Sequence, residues 1–183
     1  MDVSRAPGGM IMENPNELRE REVIDLLNRC WMTHDGMWFL QTYEALGIEK
    51  ANQLNQAAIR ALAPLEIARI RRFLGREGPI GTAADLREFF QAASRLFIPD
   101  FMGATMSFPG GNTLHWEFKP MNCFAYKGMK RIGAIEGYEC GVIYRVECWL
   151  EALGLAIKTS ARPKRCLMHL KGECSGDIEL VLP

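Results

Sequence analysis

The sequence has no net charge and no long apolar run. Its 183 residues carry 22 basic and 22 acidic side chains. That balance argues against a nucleic-acid or acidic-lipid partner held by bulk electrostatics. No apolar stretch approaches the ~20 residues that span a bilayer, so no membrane partner is expected. Six cysteines are present, yet none stands in a C-x-x-C pair, the spacing that usually opens a thiolate metal site. A phosphate loop is missing too: Pro109-Gly110-Gly111 joins two strands, not a strand and a helix. There is no G-x-S-x-G nucleophile elbow, no internal repeat and no low-complexity tract. Met1 to Pro15 has Arg5 as its one positive charge and no apolar centre. It is expected to be a loose polar arm (residues 1–15) rather than a secretory leader. Without an export signal, the expected setting is the reducing cytoplasm, with free thiols.

What is present first is helix. From Asn16 to about Gly47, Val23, Leu26, Leu27, Cys30, Trp31 and His34 recur as one apolar stripe. Gly36 lowers helix propensity by ~1 kcal/mol relative to Ala, so a bend is expected at His34-Asp35-Gly36. Gly47 suits a C-terminal cap. A second helix is expected from about Glu49 to Leu74, kinked or divided at Pro64. Its apolar side is Ile67, Ile70, Phe73 and Leu74; Arg69, Arg72 and Arg76 read as a solvated basic face. Thr82 followed by Asp85 is a capping-box pattern. It opens a third helix with the stripe Leu86, Phe89, Phe90, Ala93 and Phe97, stopped by Pro99.

At Gly103 the period changes from helical to alternating. Met106 and Phe108, then Leu114, Trp116 and Phe118, alternate with polar residues on either side of the turn Pro109–Asn112. This predicts a β-hairpin with one apolar face. A short helix from Asn122 to about Ile132 and a longer one over Tyr138–Leu153 follow. Strands are expected at Ala156–Ser160, Lys164–Leu170 and Asp177–Leu182. The whole reads as an α+β fold: a helical region (16–102) packed on a mainly antiparallel sheet with two covering helices, β-β-α-α-β-β, the second region spanning 103–183 and tightly coupled to the first.

The Tyr138–Leu153 helix has two usable faces. Val142, Val146, Trp149, Leu150 and Leu153 form a core stripe; Cys140, Tyr144 and Cys148 repeat at i, i+4, i+8 on another side. The second face either packs as core or lines a cavity, with Tyr144 offering a hydroxyl. His34 on the first helix is a second candidate. His115 and Glu117 are a third, sharing the polar side of one strand about 7 Å apart. No metal is favoured. Zinc or iron would have to draw on Cys123, Cys166, Cys174 and His169, with Cys140 or His115, and zinc needs four such ligands.

The run Trp31-Met-Thr-His-Asp-Gly-Met-Trp38-Phe39, with Leu46-Gly-Ile-Glu-Lys-Ala-Asn and Ile67-Ala-Arg-Ile-Arg-Arg-Phe-Leu-Gly75, resembles a family of uncharacterised bacterial and archaeal cytosolic proteins. That family is akin to the L-2-amino-thiazoline-4-carboxylic acid hydrolase-like group. The second half resembles the vinyl-4-reductase-type domain through Cys123, Glu136-Gly137, Glu147-Cys148 and the Cys166…Gly176-Asp177 hairpin. It departs from such domains in having Ile178-Glu179-Leu180 where they place a further cysteine. The resemblance implies a fold that accommodates a small molecule. The expected function is therefore binding of a small molecule in a cavity between the helical and α+β halves. Cys140, Tyr144, Cys148 and His34 would point into it, and the Ala104–Phe118 hairpin would form a wall. One alternative is a hydrolase of a small cyclic substrate, with a cysteine or a metal and His34 or His115 as base. The other is a structural module that forms a homodimer without a ligand.

Overall fold

A computed structural model describes residues 20–160 and 162–182; the expected arm at 1–15 lies outside them. The order is α1 (Glu20–Phe73), α2 (Ala83–Phe97), a 3-10 turn (Asp100–Met102), β1 (Ala104–Gly110), β2 (Thr113–Phe118), α3 (Phe124–Arg131), α4 (Gly141–Ala152), β3 (Ala156–Ser160), α5 (Leu167–Lys171) and β4 (Cys174–Val181). This is an α+β fold. The four strands form one antiparallel sheet in the order β1-β2-β4-β3.

The sheet's two faces follow from the alternation. Leu114, Trp116, Phe118, Ile178 and Leu180 point inward and are buried. Thr105, Ser107, Glu117, Ser175, Asp177 and Glu179 point outward and are exposed. A one-residue slip of β2 on β4 would turn Trp116 out to water and Glu117 in, so the pattern fixes the register observed, Trp116 opposite Gly176. Burying each large apolar side chain on the inner face contributes roughly 1.5–3 kcal/mol.

The first 54 helical residues run as two helices joined by a kink. The kink is at Gly47, whose φ of 81° and ψ of 170° lie outside the helical region; a left-handed φ is open to glycine at no steric cost. The backbone stays helical through Gly36 and Pro64, so the helix is broken at neither. Pro64 removes one helical hydrogen bond, but the flanking Ala63, Glu66 and Ile67 are anchored in the interior and carry the helix through it. The expected capping box of α2 is formed: the Thr82 hydroxyl accepts from the Asp85 N–H at 3.1 Å, and Asp85 accepts from the Thr82 N–H at 3.0 Å. Its stripe Leu86, Phe89, Phe90 and Ala93 is buried. The far end of α2 is capped by α1: Arg21 Nη1 donates to the Arg95 carbonyl at 2.6 Å and Asn28 Nδ2 to the Leu96 carbonyl at 2.9 Å, satisfying terminal carbonyls that lack helical partners.

The principal helix–helix interface joins α1 to α4. Gly141 allows it: a Cβ there would meet Asn55 Nδ2 at 2.8 Å and Ile59 Cδ1 at 3.0 Å. Buried Asn52 fastens the loop ahead of α4, donating to the Gly137 carbonyl at 2.8 Å and accepting from the Glu139 N–H at 3.1 Å. The strand expected over Lys164–Leu170 is instead a single bridge at Arg165 followed by the helix α5. Cys166 and Met168 alternate like strand residues, but a five-residue helix is too short to display a helical period, and Gly172, at φ 78°, closes it. The helix expected from Tyr138 starts at Gly141, with Cys140 as its N-cap. Among the described residues, no helix is long and apolar enough to cross a membrane.

Candidate functional site

Every element from α1 to α4 contributes to one cavity of about 170 Å³. Met32, Gly36 and Phe39 on the first half of α1, and Asn55 and Ile59 on its second half, form one wall. Phe97, Met102, Ala104, Met106 and Phe118 close the far side, and Phe124, Met129, Val142, Val146 and Trp149 the rest. The lining is mostly apolar and aromatic, held rigid by edge-to-face pairs such as Phe39–Tyr138 at 5.7 Å and Phe97–Trp149 at 5.8 Å. An enclosed cavity of about 150 Å³ lined by Leu, Ile and Phe takes up a benzene-sized molecule, which sets the scale of ligand this volume can hold. A second groove of about 260 Å³ draws on α2 and β1 alone, through Arg87, Phe90, Gln91, Ser94 and Met106–Phe108. It is the larger by volume. With two elements instead of seven around it, it offers a ligand fewer surfaces, and the chamber between the halves is the better candidate.

One end of the chamber is polar, and its chemistry is ordered. Glu66 is buried on α1. It accepts Arg145 through both Nε (3.1 Å) and Nη2, and the Trp149 indole N–H at 2.8 Å. Arg145 is the one cation on α4. Its guanidinium carbon lies 4.3 Å from the Trp31 ring centre and 5.1 Å from the Trp149 ring centre, within cation–π range of both, while its fork engages Glu66. Asp35 lines the chamber beside this pair. Its outer side meets solvent, yet burial of the carboxyl raises its pKa above the ordinary value, an effect that the Arg145 and His34 charges offset in part.

Candidate residues read from the sequence fall elsewhere. The chamber uses the Val142–Val146–Trp149 face of α4, not the Cys140–Tyr144–Cys148 face. Tyr144 and Cys148 are buried on the other side. There the Tyr144 hydroxyl accepts from Arg60 Nε at 2.8 Å, and Arg162 stacks 4.5 Å over its ring. His34 is exposed and accepts the Trp38 indole N–H at 3.2 Å, pointing away from the chamber that Asp35 lines. His115 and Glu117 are on the open sheet face, where His115 Nδ1 meets Asp177 Oδ1 at 2.7 Å. His169 meets Glu136 at 2.9 Å.

The remaining metal candidates do converge. Cys123, Cys140 and Cys166 are the N-caps of α3, α4 and α5, and Cys174 opens β4. The Cys140 N–H bond to the Lys164 carbonyl and the pairing of Cys174 with Phe118 bring these segments to one place. None of the first three makes a side-chain cap hydrogen bond, though the backbone N–H groups of the helix starts act to lower each thiol's pKa. Burial pushes all four thiols up, Cys140 to about 11 and Cys174 to about 12, and neighbouring sulfurs reinforce the effect for Cys123, Cys140 and Cys174. Among the described residues, no three His, Cys, Asp or Glu side chains stand in ready metal-binding geometry.

The residues that sequence reasoning missed are Asp35, Glu66 and Arg145. Two of them carried a signal: Arg145 is a lone cation in an apolar helix, four residues before Trp149, and Glu66 sits between Leu65 and Ile67 on a helix's apolar side.

The profile of a family of unknown function, DUF6125, matches residues 16–148. The chain belongs to that family. The match covers Asp35, Glu66 and Arg145 and stops one residue short of Trp149, so the DUF6125 region contains nearly the whole chamber, whereas Cys166 and Cys174 lie beyond it. No curated protein and no solved structure matches the chain.

Proposed function

We propose that this DUF6125 protein binds a ring-sized, largely apolar small molecule in the chamber between α1 and the α+β half. The observation that carries the reading is the chamber itself: about 170 Å³, walled by aromatic and aliphatic side chains from seven elements, with a few polar groups gathered at one end. Chambers of that make-up are the usual form of a ligand site. Among the described residues no cysteine or histidine lines it, which favours binding over thiol or imidazole catalysis there. Thermal-shift screening against aromatic and cyclic aliphatic compounds tests it. Hits are expected to disappear in Val142→Phe, which fills the chamber, and to survive Tyr144→Phe and Cys148→Leu. The same hits persisting in Val142→Phe would remove the proposal.

The four converging thiols favour a second, compatible reading: a structural zinc ion held by Cys123, Cys140, Cys166 and Cys174. Four sulfurs are the common donor set of a structural zinc, and amides at three helix starts stabilise thiolate charge. Zinc would displace the protons that burial otherwise holds on the sulfurs, so affinity rises with pH. Metal analysis is expected to find one zinc per chain, lost in Cys174→Ser. Metal-free protein whose Tm ignores added zinc would count against it.

A further inference from the structure

The polar end of the chamber is asymmetric in charge. Asp35 and Glu66 face one permanent cation, Arg145, with His34 the other basic side chain near Asp35. Arg145 is poorly placed to receive an acidic ligand: Glu66 holds its Nε and Nη2, and the Trp31 and Trp149 rings crowd its guanidinium at 4.3 and 5.1 Å. An incoming carboxylate would have to compete with a buried carboxylate already bonded three ways. Asp35 is the opposite case. Among the described residues it has no hydrogen-bond or ion-pair partner, and Arg145 and His34 act on it only from a distance. The rest of the lining adds to the bias. The faces of Phe39, Phe97, Phe118, Phe124 and Tyr138 are electron-rich, hospitable to a cation and inhospitable to an anion.

Resting on the binding reading above, we infer that the chamber selects lipophilic amines: a ring-sized apolar body enters among the aromatic side chains, and a protonated primary amine stays at the mouth against the Asp35 carboxylate. Asp35 is then a specificity-determining residue, and the Glu66–Arg145–Trp149 network is the rigid floor that bars acids. An amine there exchanges its water for Asp35 and the ring faces. A carboxylate of the same size meets Asp35 as a like charge with no free cation to offset it.

Calorimetric titration of the whole chain with three near-isosteric probes decides the matter: benzylamine, benzyl alcohol and benzoate, against wild type and Asp35→Asn. Benzylamine is expected to bind wild type at least about tenfold more tightly than benzoate. Asp35→Asn is expected to erase that preference and leave benzyl alcohol within about twofold, which a merely structural role for Asp35 would not do. Benzoate binding as well as benzylamine would overturn the inference, as would an unchanged amine-to-alcohol ratio in Asp35→Asn; either result leaves the chamber a binding site. Failure of all three probes to bind folded wild type would remove the binding reading, and the amine preference with it.

Discussion

The two halves of α1, on either side of Gly47, solve opposite problems. The second half buries Ala51, Asn55, Ile59, Ala63, Ile67 and Ile70 wholly or in part, a stripe at spacings of three and four that seats on α4. Its outer side mixes alanines with Arg60, Arg69 and Arg72, and its exposed large apolar side chains are Leu54, Leu65 and Phe73. The first half is apolar on both sides. Ile24, Asn28, Met32, Gly36, Phe39 and Tyr43 turn inward, toward α2 and the chamber. Val23, Leu27, Cys30, His34 and Met37 turn outward and are exposed, with Leu26 and Trp38 beside them. The outward stripe is the more hydrophobic of the two. Leu27 is 62% and Trp38 65% exposed, where Ile67 in the other half is 3%. A helix's richest apolar face is thus not always the one its own core takes; hydrophobic periodicity locates a face, and only the neighbours decide which face is covered.

The contrast can be tested from its strongest point downward. Glu66→Ala removes the partner of a buried guanidinium and of an indole N–H. It is expected to cost about 3–5 kcal/mol in urea unfolding. A loss below ~1 kcal/mol would mean that Arg145 finds water instead, and that the second half is no more tightly fixed than the first. Ile67→Ala, deep in the α1–α4 interface, is expected to cost about 2–5 kcal/mol by the same measurement.

The third test concerns Asp35, the carboxylate on the first half. The Asp35 pKa is raised in the folded protein by burial. As pH rises through the ordinary value of 3.8, the unfolded chain gives up this proton first, so stability falls until the folded-state pKa is passed and then levels. Asp35→Asn removes that loss. Its Tm is expected to match wild type in acid below that value and to exceed it near neutrality; a lower Tm near neutrality would show that Asp35 has a stabilising partner. The smallest effect belongs to Leu27→Lys on the outward stripe, expected within about 0.5 kcal/mol of wild type. A cost comparable to that of Ile67→Ala would mean that this face is covered after all, and the two halves would no longer differ.

The same contrast explains how far the sequence could be read. Strong local signals carried through. Thr82 and Asp85 gave the cap of α2, and the alternation from Met106 to Phe118 gave the hairpin and its inner face. Gly47 marked the end of a helix. Leu86, Phe89, Phe90 and Ala93 gave a stripe with no competing one. Choices between two similar faces did not carry through. On the first half of α1 the stripe through Leu27 and His34 is more apolar than the stripe through Met32 and Phe39, yet His34 turns outward and its neighbour Asp35 lines the chamber. On α4, Tyr144 and Cys148 looked more unusual than Val142 and Val146, but unusual chemistry says nothing about direction. The Glu66–Arg145 pair is 79 residues apart in the chain, a separation at which no local pattern operates. The thiol cluster depends likewise on three helix starts and a strand being brought together by the fold.

The placing of Trp31 and Trp149 beside Arg145 in the chamber wall has an optical consequence. These are two of the chain's four tryptophans; of the others, Trp116 is sealed within the sheet's inner face and Trp38 faces bulk water. Anything that enters the chamber changes the surroundings of the first two indoles and leaves the other two as an internal standard. The protein therefore carries its own fluorescent gauge of occupancy, readable without a label, and a Trp38→Phe variant would brighten the contrast.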